Sequence, residues 1–204
     1  MSDAPIPMDR FLADTEAIVL ATQRAGAEAA VRRLLHFLGE DPDRDGLRDT
    51  PRRVVSALME MTEGGSLDPA SVLGTTFDVP YDQMVVVAGI EFTSLCEHHL
   101  LPFEGEAVVG YLPTDRVVGL SKIARLVEAY ARRLQVQERM TQQIAQTMQD
   151  VLSPSGVGVV LRARHSCMAC RGIRKRADMV TSALLGAMRD DGQAREEFLA
   201  LSRA

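Results

Sequence analysis

Four consecutive residues, Cys96-Glu97-His98-His99, put a thiol and two imidazoles into one short stretch. A cysteine and a histidine separated by two residues can close on one small cation, and sulfur with imidazole nitrogen is a donor set suited to zinc. Two ligands do not hold a metal firmly. The remaining cysteines, Cys167 and Cys170, lie far down the chain beside His165. A complete site therefore requires the fold to bring two remote stretches together. Spacing leaves the ligand set open. Cys96, His99, Cys167 and Cys170 would make a closed structural site, because Cys167-x-x-Cys170 also has ligand spacing, whereas three of these groups would leave one position for water. A redox dithiol at Cys167 and Cys170 lacks the surrounding strand and helix order of thioredoxin-like proteins. His165 precedes Cys167 by two, so on an extended strand the two side chains share a face. A second metal-like pattern, Asp41-Pro42-Asp43-Arg44-Asp45-Gly46, opens like a calcium loop but carries Arg52 where the twelfth position needs a bidentate Glu, which argues against calcium.

Those residues need a scaffold, and hydrophobic periodicity supplies a coarse one. Val31, Leu34, Leu35 and Leu38 recur at the spacing of one helix face over residues 27–38, with Gly39 as a stop; residues 1–24 read as a peripheral arm. Thr50-Pro51 is a helix start, with Val54, Leu58 and Met61 inward and Gly64-Gly65 ending it. After Pro80 the texture changes. β-Branched runs from Met84 to Ile90 and from Glu106 to Leu112 predict strands flanking a loop that carries Cys96, Pro102 and Gly105. Ser121 is placed to cap a helix with Ile123, Leu126, Val127 and Tyr130 inward. A second helix carries Met140, Ile144 and Met148 to Val151, and methionines at this spacing read as core filler. A strand over Val157–Ala163, another around Val180-Thr181 and a short helix over Glu196–Leu201 close the chain. The result is an α+β class with an antiparallel sheet, two long helices and an N-terminal helical extension. Residues 1–80 are expected to form the arm and extension, and residues 81–204 the domain that carries the candidate site.

Composition narrows the function. With 204 residues and 46% hydrophobic content the chain can bury a core without staples. Its net charge of −5, absence of Trp and 4% aromatic content argue against nucleic acid as a partner. No apolar run approaches the roughly 20 residues that span a bilayer. An odd number of cysteines and an acidic opening segment point to the reducing cytoplasm. Cations nevertheless gather between Arg116 and Arg139 and again between Arg162 and Arg176. Ser121 and Lys122 stand at a predicted helix start, where unpaired N–H groups and the helix dipole favour anions, and Arg125 follows Lys122 by one turn.

With these segments placed, the chain resembles GTP cyclohydrolase I. The resemblance rests on Cys96-Glu97-His98-His99-Leu100-Leu101-Pro102, Gly119-Leu120-Ser121-Lys122, Gln135-Val136-Gln137-Glu138-Arg139 and His165-Ser166-Cys167-Met168 followed by Arg171-Gly172. It extends through Asp49-Thr50-Pro51-Arg52-Arg53-Val54 to Arg195-Glu196-Glu197-Phe198. It implies a tunnelling fold (T-fold), in which two-helix, four-strand units assemble into a ring-shaped barrel, usually a homodecamer with active sites at subunit interfaces. It also implies Zn2+ held by Cys96, His99 and Cys167 with the fourth tetrahedral position left for water, and leaves Cys170 as an extra thiol. His165 is implied as the acid toward the purine N7 and His98 as a second proton-transfer group. Ser121, Lys122, Arg125 and Arg171 are implied to hold the triphosphate of GTP, and Glu138 the guanine with Gln137 beside it. Two other readings compete: a non-catalytic ring that uses zinc only to fold, and the related nitrile reductase of queuosine synthesis, which lacks the Cys-His-Cys zinc set.

Overall fold

The computed structural model describes residues 8–203, with side-chain environments from residue 17 onward. The stretch of the expected arm before Met8 lies outside the described residues. Two compact units divide the chain, one ending at Glu60 and the other beginning at Met61.

In the first unit, α1 (Met8–Phe37) runs unbroken, although periodicity predicts a helix only from residue 27. No proline interrupts this alanine-rich segment, and a single glycine, Gly26, costs a helix only about 1 kcal/mol. Gly39, in the left-handed conformation with φ 85°, follows its end. Val31 and Leu35 are half-buried, but Leu34 and Leu38 remain exposed, so only part of the expected inner face is covered. α2 (Thr50–Met61) begins at the predicted Thr50-Pro51, with Pro51 and Val55 buried. The calcium-like loop is neutralised by arginines: Arg32 pairs with Asp43, Arg44 with Glu40 at 2.9 Å and Arg48 with Asp45 at 3.1 Å.

The second unit opens with a 3-10 turn over Glu63–Ser66 and the short α3 (Pro69–Val72), capped by Asp68. The pair β1 (Thr76–Phe77) and β4 (Val117–Val118) forms a two-stranded ribbon. The main sheet contains β2 (Val85–Cys96), β3 (Leu101–Leu112), β5 (Leu134–Gln135), β6 (Gly156–His165) and β7 (Asp178–Gly186) in the order β5-β2-β3-β6-β7. It is antiparallel except for the two-residue contact of β2 with β5. Between β3 and β6 the chain makes α4 (Leu120–Ala131) and α5 (Gln137–Leu152), which pack on the sheet. α6 (Ser166–Ala169), α7 (Ala187–Asp190) and α8 (Gly192–Leu201) complete the unit. The predicted order of two strands, two long helices and two strands is therefore present, and the class is α+β. Two-residue strands such as β5 carry no periodicity and escaped the sequence reading.

Alternation sets the core. Ala107, Val109 and Tyr111 on β3 and Val157, Val159 and Leu161 on β6 point toward Ile123, Leu126, Met140, Ile144 and Met148 on the helices, all buried. Both methionines are core filler, and truncating either to Ala would cost about 2–5 kcal/mol. On the other face Glu104 and Glu106 sit opposite Arg164 and Arg162.

Two strands are longer than predicted, and the difference places the chemistry. The sequence put Cys96, Pro102 and Gly105 in a loop, yet β2 continues to Cys96 and β3 starts at Leu101, leaving a tight turn over residues 97–100. Pro102 is tolerated because the β3–β6 ladder begins only at Phe103, so no partner on that side awaits its missing N–H. Gly105 is required where it stands, since a Cβ there would lie 1.9 Å from the Arg162 carbonyl oxygen. Among the described residues no helix is long and apolar enough to cross a membrane.

Candidate metal centre and active site

Cys96 is the last residue of β2 and is buried; its chain reverses through Glu97-His98-His99-Leu100. Leu100 takes the left-handed conformation with φ 53°, a geometry that costs a branched L-residue roughly 1–2 kcal/mol, and its N–H bonds the Cys96 carbonyl at 2.9 Å. The reversal carries His99 back over Cys96, with Cys96 Sγ 3.8 Å from His99 Nδ1 and equally far from His98 Nδ1. The His98 and His99 rings meet edge to face at 6.2 Å. At the same end of the sheet, where His165 at the end of β6 pairs with Phe103, the chain continues into α6 and brings in Cys167. The donor atoms of Cys96, His99 and Cys167 all lie within 4.8 Å of one another.

This donor set fits a single tetrahedral cation. Bonds of about 2.3 Å to sulfur and about 2.0–2.1 Å to imidazole require donors roughly 3.5 Å apart, close to the Cys96–His99 separation. Electrostatics agree: burial and the neighbouring Cys96 push the Cys167 thiol above its ordinary range, with Arg171 opposing. Two adjacent thiolates without a cation repel, and a cation removes the repulsion. Cys170 is exposed and outside the cluster, so the four-ligand set is not assembled here. His165 and Cys167 do not share one extended strand, contrary to expectation. β6 ends at His165, and Cys167 faces Cys96 because the chain turns into a helical loop at Ser166.

His165 is held from two sides. Its ring stacks on Phe103, its register partner in β3, with centroids 4.6 Å apart and planes 5° from parallel. Its Nε2 lies 2.9 Å from Gln137 Oε1. Burial pushes its pKa below the usual imidazole value, and the Glu138 carboxylate partly opposes this. Gln137 itself is buried at the first position of α5, with its amide nitrogen 3.0–3.1 Å from three acceptors.

The ligand turn is strapped to α5. Arg139 pairs with Glu97 and donates to Gln135 Oε1 and the Leu134 carbonyl, both at 3.1 Å. That pairing holds the Glu97 carboxyl below its usual range. Sequence reasoning missed Phe103 and Arg139. Phe103 emerges only from the β3–β6 register, and Arg139 only once Cys96 and Gln135 are known to be paired strand residues.

The anion-holding residues are arranged differently. Gly119, not Ser121, caps α4, and Ser121 is the second helical residue, so its expected capping role is not seen. Ser121 and Arg125 are exposed and Lys122 half-buried, and no side-chain hydrogen bond or ion pair joins any of them to another described residue. Glu138 is exposed and likewise unpaired, because Arg139 takes Glu97 and Arg132 takes Glu128 and Glu63. Arg171 reaches the Cys96–His99–Cys167 cluster, with Nη1 3.2 Å from His99 Nε2 and 3.3 Å from the Cys167 carbonyl.

Comparison with known proteins places the chain in a family. The profile of the family described as GTP cyclohydrolase I matches residues 27–203. GTP cyclohydrolase 1 of a Synechococcus species is 53% identical over 177 residues, covering 86% of this chain and 77% of that protein. The Streptomyces griseus protein of the same name is 51% identical over 199 residues, 96% of this chain and 98% of its own. Among solved structures, the archaeosine synthase QueF-Like in the apo form aligns over 49% of this chain and 92% of its own, at 17% identity with a TM-score of 0.40. A profile spanning both remote stretches of the Cys-His-Cys cluster, with relatives at half identity along most of the chain, makes this chain a member of the GTP cyclohydrolase I family.

Proposed function

We propose that this chain is a zinc-dependent GTP cyclohydrolase I, which opens the imidazole ring of GTP at C8, releases formate and yields 7,8-dihydroneopterin triphosphate. The observation that carries the reading is the convergence of Cys96, His99 and Cys167, from two stretches remote in sequence, at one end of the sheet, with Cys170 left outside. Zinc held by these three residues would supply the Lewis acidity that makes water nucleophilic near neutral pH.

The chain's own residues do the rest. The unpaired Glu138 carboxylate accepts from the N–H groups of the guanine edge, which selects against adenine. Lys122, Arg125 and Ser121 at the start of α4, with Arg171 from the loop after α6, hold the triphosphate. As water adds to C8, His165 delivers a proton to N7. His98 serves as the second proton-transfer group during ring opening and formate release.

We further place the catalytic domain in a T-fold ring, a cytoplasmic homo-oligomer of decameric type with active sites completed by neighbouring copies. The exposed apolar residues of α1, among them Phe37 at 84%, are the kind of surface such assembly would cover. The test is direct. Purified protein loaded with zinc should convert GTP to a product that becomes a fluorescent pterin on oxidation, with zinc content and oligomer mass measured on the same sample. A fully zinc-loaded chain that leaves GTP unchanged refutes the assignment.

A further inference from the structure

Gln137 was expected beside Glu138 as part of the guanine pocket, but its side chain has no polar atom to offer a ligand. It is 1% exposed. Its Nε2 lies 3.1 Å from the Leu161 carbonyl, 3.0 Å from the Met179 carbonyl and 3.1 Å from Thr181 Oγ1. Two of these are backbone carbonyls, which only accept. The third is committed by a relay: Thr141 Oγ1 donates to the Gln137 carbonyl at 2.7 Å, so the Thr181 hydroxyl donates to Thr141 at 2.7 Å and turns a lone pair toward Gln137. Flipping the amide would press its oxygen against two carbonyl oxygens at about 3 Å, so the network fixes which atom faces which way. The atom facing His165 is therefore Oε1, an acceptor, at 2.9 Å from Nε2. An acceptor there requires the imidazole proton to sit on Nε2.

We infer that Gln137 is a positioning residue that locks His165 in the Nε2–H tautomer and leaves Nδ1 as the ring nitrogen that exchanges a proton with substrate. Phe103 sets the plane of the ring by stacking, and Gln137 sets its rotation within that plane. The inference rests on the proposed role of His165 for its catalytic consequence, but its geometric half stands on the hydrogen bonds alone.

The experiment uses zinc-loaded protein carrying 15N-labelled histidine. In the wild type, long-range 15N–1H correlation at a pH where His165 is neutral should show a pyrrole-like Nε2 and a pyridine-like Nδ1. Assignment comes from the His165→Gln spectrum. The opposite pattern in the wild type overturns the inference without any variant at Gln137. Gln137→Met, similar in size and without hydrogen-bonding groups, should release the tautomer preference and lower kcat by roughly 10²-fold, within the range for general acid–base catalysis. The KM for GTP should stay within about threefold. A raised KM with kcat intact would return Gln137 to the guanine pocket and overturn the inference, as would an unchanged tautomer in the variant. If the wild type with full zinc turns over no GTP, the functional reading fails, and the wild-type tautomer still decides the geometric claim.

Discussion

Two halves of the candidate site differ in how completely one chain builds them. At the end of the sheet, each expected ligand or proton-transfer residue already has a partner: Cys96 faces His98 and His99, His99 meets Arg171, and His165 is held between Phe103 and Gln137. At the starts of α4 and α5, Ser121, Lys122, Arg125 and Glu138 carry charge or hydrogen-bonding capacity with no ion pair or side-chain hydrogen bond among the described residues. Folding preorganises the reacting centre, which needs fixed geometry. The groups on α4 and α5 proposed to meet the nucleotide's charge and base edge are unpaired among the described residues, so a ligand would not have to break an internal ion pair to use them.

The largest effect should come from removing a ligand. Cys167→Ser is expected to lower zinc affinity by more than roughly 100-fold, beyond the 10–100-fold typical of losing an outer partner, and turnover should fall with zinc content. Cys170→Ser should retain both. Zinc per chain after dialysis, measured with turnover on the same samples, separates them, and loss of zinc in the Cys170 variant would restore the four-ligand structural site.

The second half should respond through binding and leave the metal alone. Lys122→Ala and Arg125→Ala should each weaken GTP by about tenfold or more, the scale of a charge-assisted hydrogen bond, with zinc content unchanged. Both should weaken inorganic triphosphate as well, and added salt should shrink the difference from wild type. Glu138→Gln should raise the KM for GTP yet leave triphosphate affinity as it was. If Glu138→Gln instead depletes zinc, the division between the two halves is wrong.

How much of this could be read from residues alone follows the same division. Cys96, His99, Cys167 and Cys170 were legible as candidate ligands because so few residue types make such donors, although choosing three of the four took the family resemblance, and the order of long strands and helices was legible from periodicity. Strand ends were not: Pro102 and Gly105 look like loop residues, and only the position of the β3–β6 ladder shows why a strand accepts both. Ser121 looked like a cap because its hydroxyl suits one, but the backbone makes Gly119 the capping residue. Gln137 was the hardest to read. It is polar and adjacent to Glu138, and nothing local reveals that the carbonyls of Leu161 and Met179, from two other strands, fill its hydrogen-bonding capacity.

The smallest effect tests whether the braced half depends on its outermost strap. Glu97 pairs with Arg139 and thereby ties the ligand turn to α5, but both side chains are partly exposed, at 34% and 43%. Water screens such a pair, so its removal should be felt weakly. Arg139 would also keep its bonds to Gln135 and the Leu134 carbonyl, and the Glu97 N–H would keep the Gln135 carbonyl at 3.0 Å, so the turn stays paired through the backbone. Glu97→Gln should therefore speed zinc release by only about threefold, read as transfer to a metallochromic chelator, and high salt should bring the wild type toward the variant. A hundredfold change would mean that this ion pair, and not the strand pairing beneath it, preorganises Cys96 and His99. No change at all would mean that the β2–β5 contact suffices to hold the turn.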